Sequence, residues 1–495
     1  MSEIRLGAVR VLILTAGMAV SCLAVAFISL HALYPSTGQV SRFLGYVVVF
    51  NLLPGLVITR FFLPGAKEVG IYLIFSLAIG MVANVLAVTA LWSVGLLSLL
   101  PMLPISAIGL AIVRLRRLSA AERLHWNVGW RIFFGVLAGT CLLSLTALLG
   151  VGFIYSGNYV ESYSSHAAFE GVIVRGLELG WPPPNLLFPN APWSYNYAAH
   201  LWVLGVKLTT GLPIDVLVTN YGPAILGATS AALLVAFGRY VLGLAWWVAA
   251  LPMVCVYWAI GIAPISGAIF ASFMPYGANL ILSPFLAILL FLLIFSFISE
   301  KGNSTRSYLI FRIATLVVLS FLATGARGVC TPIVVCALLF RLTWDWWSER
   351  LYRQNAVDLI AVIIGFVAGL IFFFTIGTGF SGTGALKITG EPFRFFARAD
   401  QTVLTLPRTL KGWGVAALPA GIIAFAVIAL FQAAFLTPAL PRAYVVIRKK
   451  ARTIDVLLIG SGIAGIAGFF LTEAPGYSHL SFLYFSNISF ALLGG

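Results

Sequence analysis

The sequence predicts an all-α polytopic membrane protein with about 11–13 transmembrane helices. Three observations predict it. Apolar side chains make up 61% of the chain and charged ones only 9%, against about 25% charged in soluble domains. Apolar runs of about 20 residues, enough to span a bilayer as a helix, recur along the whole chain. The Lys and Arg, in excess by a net charge of +15, lie in short runs between the apolar ones. That is how cytoplasmic loops are marked, so the charge reports orientation and gives no sign of a nucleic-acid partner.

Taken in order, Arg5 and Arg10 precede about 23 apolar residues ending at Leu33, which is spanning length and too long for a cleavable leader. This reads as a first helix with its N-terminus in the cytoplasm. Apolar segments near 11–34, 42–64, 69–93 and 95–113 lead to the basic stretch "RLRRLSAAERLHWNVGWR", read as cytoplasmic. A span over 132–155 then carries the chain outward, so 156–195 is external. The chain thus divides into N-terminal transmembrane helices, 1–130, and a core, 131–495, with long external loops at 156–195 and 377–413. The basic loops 300–312, 341–355 and 441–452 read as cytoplasmic, leaving the turns at Arg327 and 472–480 outside. Within 213–299, "APISGAIFASFMPYGAN" fits either a short span or a re-entrant loop. The five cysteines all fall in or beside apolar runs without CxxC spacing, which argues against a disulfide framework or a zinc site. "GTGFSGTG" lacks the following Gly-Lys-Ser/Thr of a phosphate-binding loop and reads as a flexible external lid.

Ionisable groups are costly inside a bilayer, so their placement is informative. Glu161, Glu170, Glu178, Glu391, Asp400 and Glu473 fall on the external side, as do His166, His200 and His479. From Ser164 to Leu179 the apolar positions Phe169, Val172, Ile173, Gly176 and Leu177 follow helical spacing, predicting a helix along the membrane surface, apolar side down. His166 and Glu170, one turn apart, share a face of it. Gly180 ends the helix and "WPPP" forbids its continuation. "PWSYNYAAHLW" then re-enters the membrane, with Tyr195, Tyr197 and His200 at interface level. Spacing alone fits a surface helix with an aromatic belt as well as it fits the wall of a binding site.

The order of these features resembles the first external loop of the GT-C glycosyltransferases: a carboxylate after the first core helix, a histidine, a surface helix, a Pro-rich stretch, Tyr-x-Tyr, a His and "LTTGLP". The resemblance is best over 155–225. It continues through "ATGARGVCTP", similar to a Gly-x-Lys-Gly-x-x-x-Pro turn of those proteins, and "APGYSHLSFLYF", similar to a Gly-Ser-x-x-Tyr-Phe stretch. It implies a GT-C-like enzyme of the cell envelope, in the bacterial inner (plasma) membrane, that moves a sugar from a polyprenyl-phosphate-linked donor to a lipid, glycan or protein acceptor. It further implies Glu161 as the base or as ligand to a divalent metal ion, Mg or Mn, although the family more often has Asp there. His166 would orient that carboxylate or hold a sugar hydroxyl. Phosphate is best held by arginine, with Arg175, Arg327 and Arg394 as candidates beside Arg398 and Lys387. Tyr195, Tyr197, His200 and His479 would line the substrate cavity.

Two rival classes share these features. A transporter or flippase of lipid-linked substrates needs ionisable residues near mid-span or matched broken helices. The spans here are nearly free of such residues, and no internal repeat is evident. A glycan polymerase or ligase of another membrane fold would share the long external loops and the lipid-linked substrate.

Overall fold

The fold comes from a computed structural model. It describes residues 37–63, 68–117, 160–184, 196–252, 282–300, 306–348, 353–375, 436–448, 451–473 and 481–495, with isolated positions at 186, 387–388, 414, 416 and 419. The expected spans at 11–34 and 132–155, the expected re-entrant stretch, Tyr195, Glu391, Arg394, Arg398, Asp400 and His479 lie outside the described residues.

The described chain is helical apart from one two-residue β pairing, Lys387–Ile388 against Thr472–Glu473. Among the described residues, five helices are long and apolar enough to cross a membrane: Thr37–Thr59, Gly70–Ser93, Ile214–Tyr240, Tyr308–Ala326 and Gln354–Phe374. Shorter apolar helices stand beside them, among them Ser283–Ser299, Thr453–Phe469 and Phe482–Gly494. The protein is an all-α membrane protein. Its chain divides into two compact units.

Unit 1 begins with α1 (Thr37–Tyr46), which passes through a π-helical turn, Val47–Leu52, into α2 (Leu53–Phe62). Packed antiparallel on this rod is α3 (Val69–Ser93). Lipid is as apolar as leucine, so membrane helices associate through close packing and hydrogen bonds rather than through exclusion of water. At this crossing two glycines bring the backbones together. A Cβ on Gly55 would overlap the Ser76 carbonyl, and one on Gly80 the Asn51 carbonyl. The π turn holds a buried polar cluster. Asn84 Nδ2 donates to Asn51 Oδ1 at 2.8 Å and to Tyr46 Oη at 2.8 Å, and Trp202 Nε1 reaches Asn51 Oδ1 at 3.4 Å.

After α4 (Met102–Arg117), the unit continues with α5 (Val160–Glu178), α6 (Ala198–Thr210), α7 (Gly222–Tyr240, entered through Ile214–Tyr221) and α8 (Ser283–Ser299). Helices α7 and α8 are parallel. A Cβ on Gly222 would lie 2.7 Å from Leu282 at one end, and Tyr240 Oη donates to Glu300 Oε2 at 3.0 Å at the other. Within the ambiguous 213–299 region, α7 and α8 therefore run in the same direction. Arg239 beside Tyr240 pairs with Glu68 at 3.0 Å, which puts the start of α3 at the same end as the finish of α7 and α8.

Unit 2 contains α9 (Arg306–Ala326), α10 (Cys330–Trp347), α11 (Arg353–Leu370, extended by a π turn Ile371–Thr375), α12 (Leu436–Ile447), α13 (Thr453–Leu471) and α14 (Ser481–Gly494). Helices α9 and α11 are parallel neighbours: Arg312 pairs with Asp358, Gly369 packs on Thr324, and Gly325 abuts Phe373. Antiparallel α13 and α14 meet along small residues, with Ser461 Oγ and Ser489 Oγ 2.8 Å apart and Ser486 Oγ donating to the Gly462 carbonyl at 3.0 Å.

The expectation of nearly charge-free spans is only partly met. Arg312 and Asp358 both lie within candidate spans and are buried, joined by two hydrogen bonds of 2.7 Å. Arg341 and Asp345, also buried, pair at 2.8 Å, and Asn355 donates to the same carboxylate. Each charge is matched by an opposite one, which is how ionised groups survive in low dielectric. All of these lie toward one end of unit 2, together with Arg442, Asp455 and Arg452. We call it the basic end.

Candidate functional site

The candidate site of unit 1 is built on α5 and α6. The helix expected from Ser164 starts earlier, at Val160, so Glu161 falls in its first turn and His166 on the same helix. Five positions make about 1.4 turns, so these two positions do not stack as 166 and 170 do.

The buried face of α5 differs from the expected one. Ile173, Val174 and Leu177 are the buried apolar side chains, whereas Phe169 and Val172 are half-buried. Glu170 belongs to the buried face. Its carboxyl group makes a buried hydrogen bond with Nε2 of His200 on α6. A second, partly exposed pair joins Glu178 to Lys207. The partners rise together in number, so α5 and α6 run parallel, side by side. The pair overrides simple amphipathicity because a buried carboxylate needs a charged or hydrogen-bonding partner more than it needs water.

This two-helix layer is fastened to one end of the unit. Trp92, in the last turn of α3, donates from Nε1 to the Leu177 carbonyl at 2.8 Å. Arg42, at the start of α1, donates from Nη1 to the Thr210 carbonyl at 3.2 Å. Beyond α5, Gly180 takes φ +119°, a conformation open to glycine. The prolines then fold back, so that a Cβ on Gly176 would stand 3.0 Å from the Pro184 carbonyl. Tyr197 packs edge-on against Trp92, ring centroids 5.9 Å apart. Burial pushes its phenol above the ordinary tyrosine range, with the Trp181 indole the smaller, opposing influence.

Sequence reasoning treated Tyr197 and His200 as cavity-lining or belt residues. The structure packs both inside unit 1, at 2% and 0% exposure. Arg175 is exposed on the last turn of α5. Glu170 was overlooked as a site residue, although its place among the apolar positions of α5 was a readable signal.

In unit 2, Arg327 stands half-buried at the turn from α9 to α10. Its backbone N–H bonds the Ala323 carbonyl and its carbonyl accepts from Cys330 N, both at 2.9 Å. The next residue, Gly328, donates its N–H to Asn196 Oδ1 at 3.0 Å. Tyr484 of α14 lies within electrostatic reach of the Arg327 guanidinium. The β pairing sets Lys387 opposite Glu473 in register. Among the described residues no group of three or more His, Cys, Asp or Glu side chains is placed to hold a metal ion. The Glu161 side chain is not among those described.

No protein-family model matches the chain, and neither a curated protein nor a solved structure matches it.

Proposed function

We propose that the protein is an integral-membrane glycosyltransferase of GT-C-like fold. It moves a sugar from a polyprenyl-phosphate-linked donor to a lipid, glycan or protein acceptor on the external face. The observation that carries the reading is α5: a helix with Glu161 in its first turn, fastened by Trp92 and by the Glu170–His200 pair to one end of a membrane bundle. A base on so constrained a scaffold holds its position, which general-base catalysis requires.

In this reading Glu161 takes the proton of the acceptor hydroxyl. The acceptor oxygen bonds to the anomeric carbon as the bond from that carbon to the phosphate oxygen breaks, and the polyprenyl phosphate departs with the electron pair. Arg327 offers bidentate hydrogen bonds to the departing phosphate. Its place before α10 adds the positive end of that helix. His166, Arg175, Arg394 and His479 serve the sugar and the phosphate; in the alternative role, Glu161 would hold a divalent ion, Mg or Mn, that polarises the phosphate. The membrane is the bacterial plasma membrane.

The test is transfer from a defined polyprenyl-phosphate sugar in proteoliposomes. Glu161→Gln should lower kcat by about 10²–10⁴-fold, and Glu161→Asp should retain much of it. Full activity of Glu161→Gln sinks the proposal.

A further inference from the structure

An arginine grips a phosphate well only from a backbone that aims its side chain. Arg327 stands outside both helices, at the turn from α9 to α10. On the helix side of that turn α9 and α10 are clasped by buried hydroxyls. Thr324 Oγ1 and Thr331 Oγ1 are 2.9 Å apart, and they stand 2.8 and 3.2 Å from the Ser320 carbonyl oxygen. Beyond the clasp, the turn is held by individual bonds to its backbone.

Three of those bonds bear on one residue. The peptide plane before Arg327 is tied into α9, because the Arg327 N–H donates to the Ala323 carbonyl at 2.9 Å. The plane after it carries the Arg327 carbonyl and the Gly328 N–H. That carbonyl accepts from Cys330 N at 2.9 Å, and that N–H donates to Asn196 Oδ1 at 3.0 Å. A peptide unit is rigid, so fixing the planes on either side of Arg327 fixes its φ and ψ, and with them the direction of its Cβ.

Asn196 completes this arrangement from 132 positions away in the chain. It pins the second end of the second plane. Without it, one hydrogen bond would hold that plane against rotation, and the residue that follows is a glycine, whose own backbone resists little. A Cβ on Gly328 would lie 3.6 Å from Asn196 Oδ1 and 3.7 Å from the Phe374 ring, so the turn is seated against its anchor without crowding. The Arg327 guanidinium comes within electrostatic reach of the buried Tyr484 of α14. As an amide, Asn196 supplies an acceptor without setting a negative charge beside an arginine that is to receive phosphate.

On the reading of Arg327 as a ligand of the donor phosphate, we propose that Asn196 is a positioning residue. By holding the Arg327–Gly328 peptide it aims the guanidinium at the phosphate of the polyprenyl carrier, and it acts only through that guanidinium.

The probe is undecaprenyl phosphate, a polyprenyl carrier without its sugar, titrated against the purified full chain in detergent and read by native mass spectrometry. Undecaprenol, with the same hydrocarbon and no phosphate, is titrated beside it. Asn196→Ala should weaken undecaprenyl phosphate about fivefold, the worth of one neutral hydrogen bond, and leave undecaprenol unchanged. Arg327→Ala should weaken the phosphate more, and adding Asn196→Ala to it should weaken it no further, since the two act as one unit. Should Asn196→Ala melt early, Asn196→Leu, of similar volume but with no acceptor, takes its place. A folded variant at 196 with wild-type affinity, beside a weakened Arg327→Ala, overturns this proposal alone. So does an equal loss of both lipids, or a loss that persists in the Arg327→Ala background. Wild-type affinity in Arg327→Ala overturns the placement of Arg327 at the donor and this proposal together.

Discussion

The Glu170 carboxyl group and the His200 imidazole are joined by a buried hydrogen bond that links two parallel helices, across thirty positions of the chain. Removing either partner takes this buried hydrogen bond from the other and costs about 1–3 kcal/mol. His200→Ala and Glu170→Ala are each expected to lower the melting temperature sharply. The double change should cost less than the sum of the singles, by about 1 kcal/mol or more. Additive losses in detergent melts would show that the two groups do not interact.

The Arg312–Asp358 pair predicts the same asymmetry in unit 2. Asp358→Ala should cost about 3–5 kcal/mol, whereas the combined change Arg312→Met, Asp358→Leu should be near neutral, because apolar partners of similar volume need no desolvation offset. Chemical denaturation in a fixed detergent distinguishes the two. A double variant as damaged as the single one would mean that the pair does more than satisfy itself.

The crossing of α2 and α3 depends on the absence of a side chain at Gly55 and Gly80. Gly80→Val places atoms inside the Asn51 carbonyl, so the helices must separate. The expected outcome is loss of a folded monodisperse species on size-exclusion chromatography. Gly109→Ala, which has open space around the new Cβ, should elute as the wild type does.

The proposed transfer predicts a split between kinetic constants. Glu161→Gln should act on kcat. Arg327→Ala, by removing a phosphate contact, should raise KM for the donor about tenfold and lower kcat as well, because the departing phosphate carries more charge in the transition state. A normal donor KM in Arg327→Ala would remove Arg327 from the donor site.

Tyr197 predicts a dependence on alkaline pH. Its folded phenol titrates above the unfolded value of about 10, so the folded state holds the proton more tightly. The stability it contributes is whole below pH ~10 and is lost as pH rises toward the folded value, by up to about 1.4 kcal/mol per pH unit. Tyr197→Phe should therefore show a shallower fall in melting temperature between pH 9 and 11. An unchanged slope would mean that the phenol does not titrate differently in the two states.

Much of the fold was legible because membrane insertion imposes a simple rule on composition. Apolar runs of spanning length predicted helices, and the expected 69–93 segment is Val69–Ser93 in the structure. The helix expected over Ser164–Leu179 was legible from its 3.6-residue spacing, and its end from Gly180 and the prolines that follow. The parallel course of α7 and α8 was not, because prolines, glycines and aromatic residues blur the hydropathy of 213–299 and direction is recorded only in which ends meet.

The site was legible as residue types and less so as relationships. Glu161, His166, Arg175 and Arg327 were singled out through the resemblance to the GT-C glycosyltransferases. That Glu170 turns inward to His200, and that Asn196 meets the backbone beside Arg327, appears only in the folded chain. What the sequence determined alone is the class of protein, because the cost of burying or exposing each side chain is a local property. What the tertiary structure decided is which polar groups find each other. A buried charge is tolerated only by a partner brought to it across the chain, and spacing along one helix cannot name that partner.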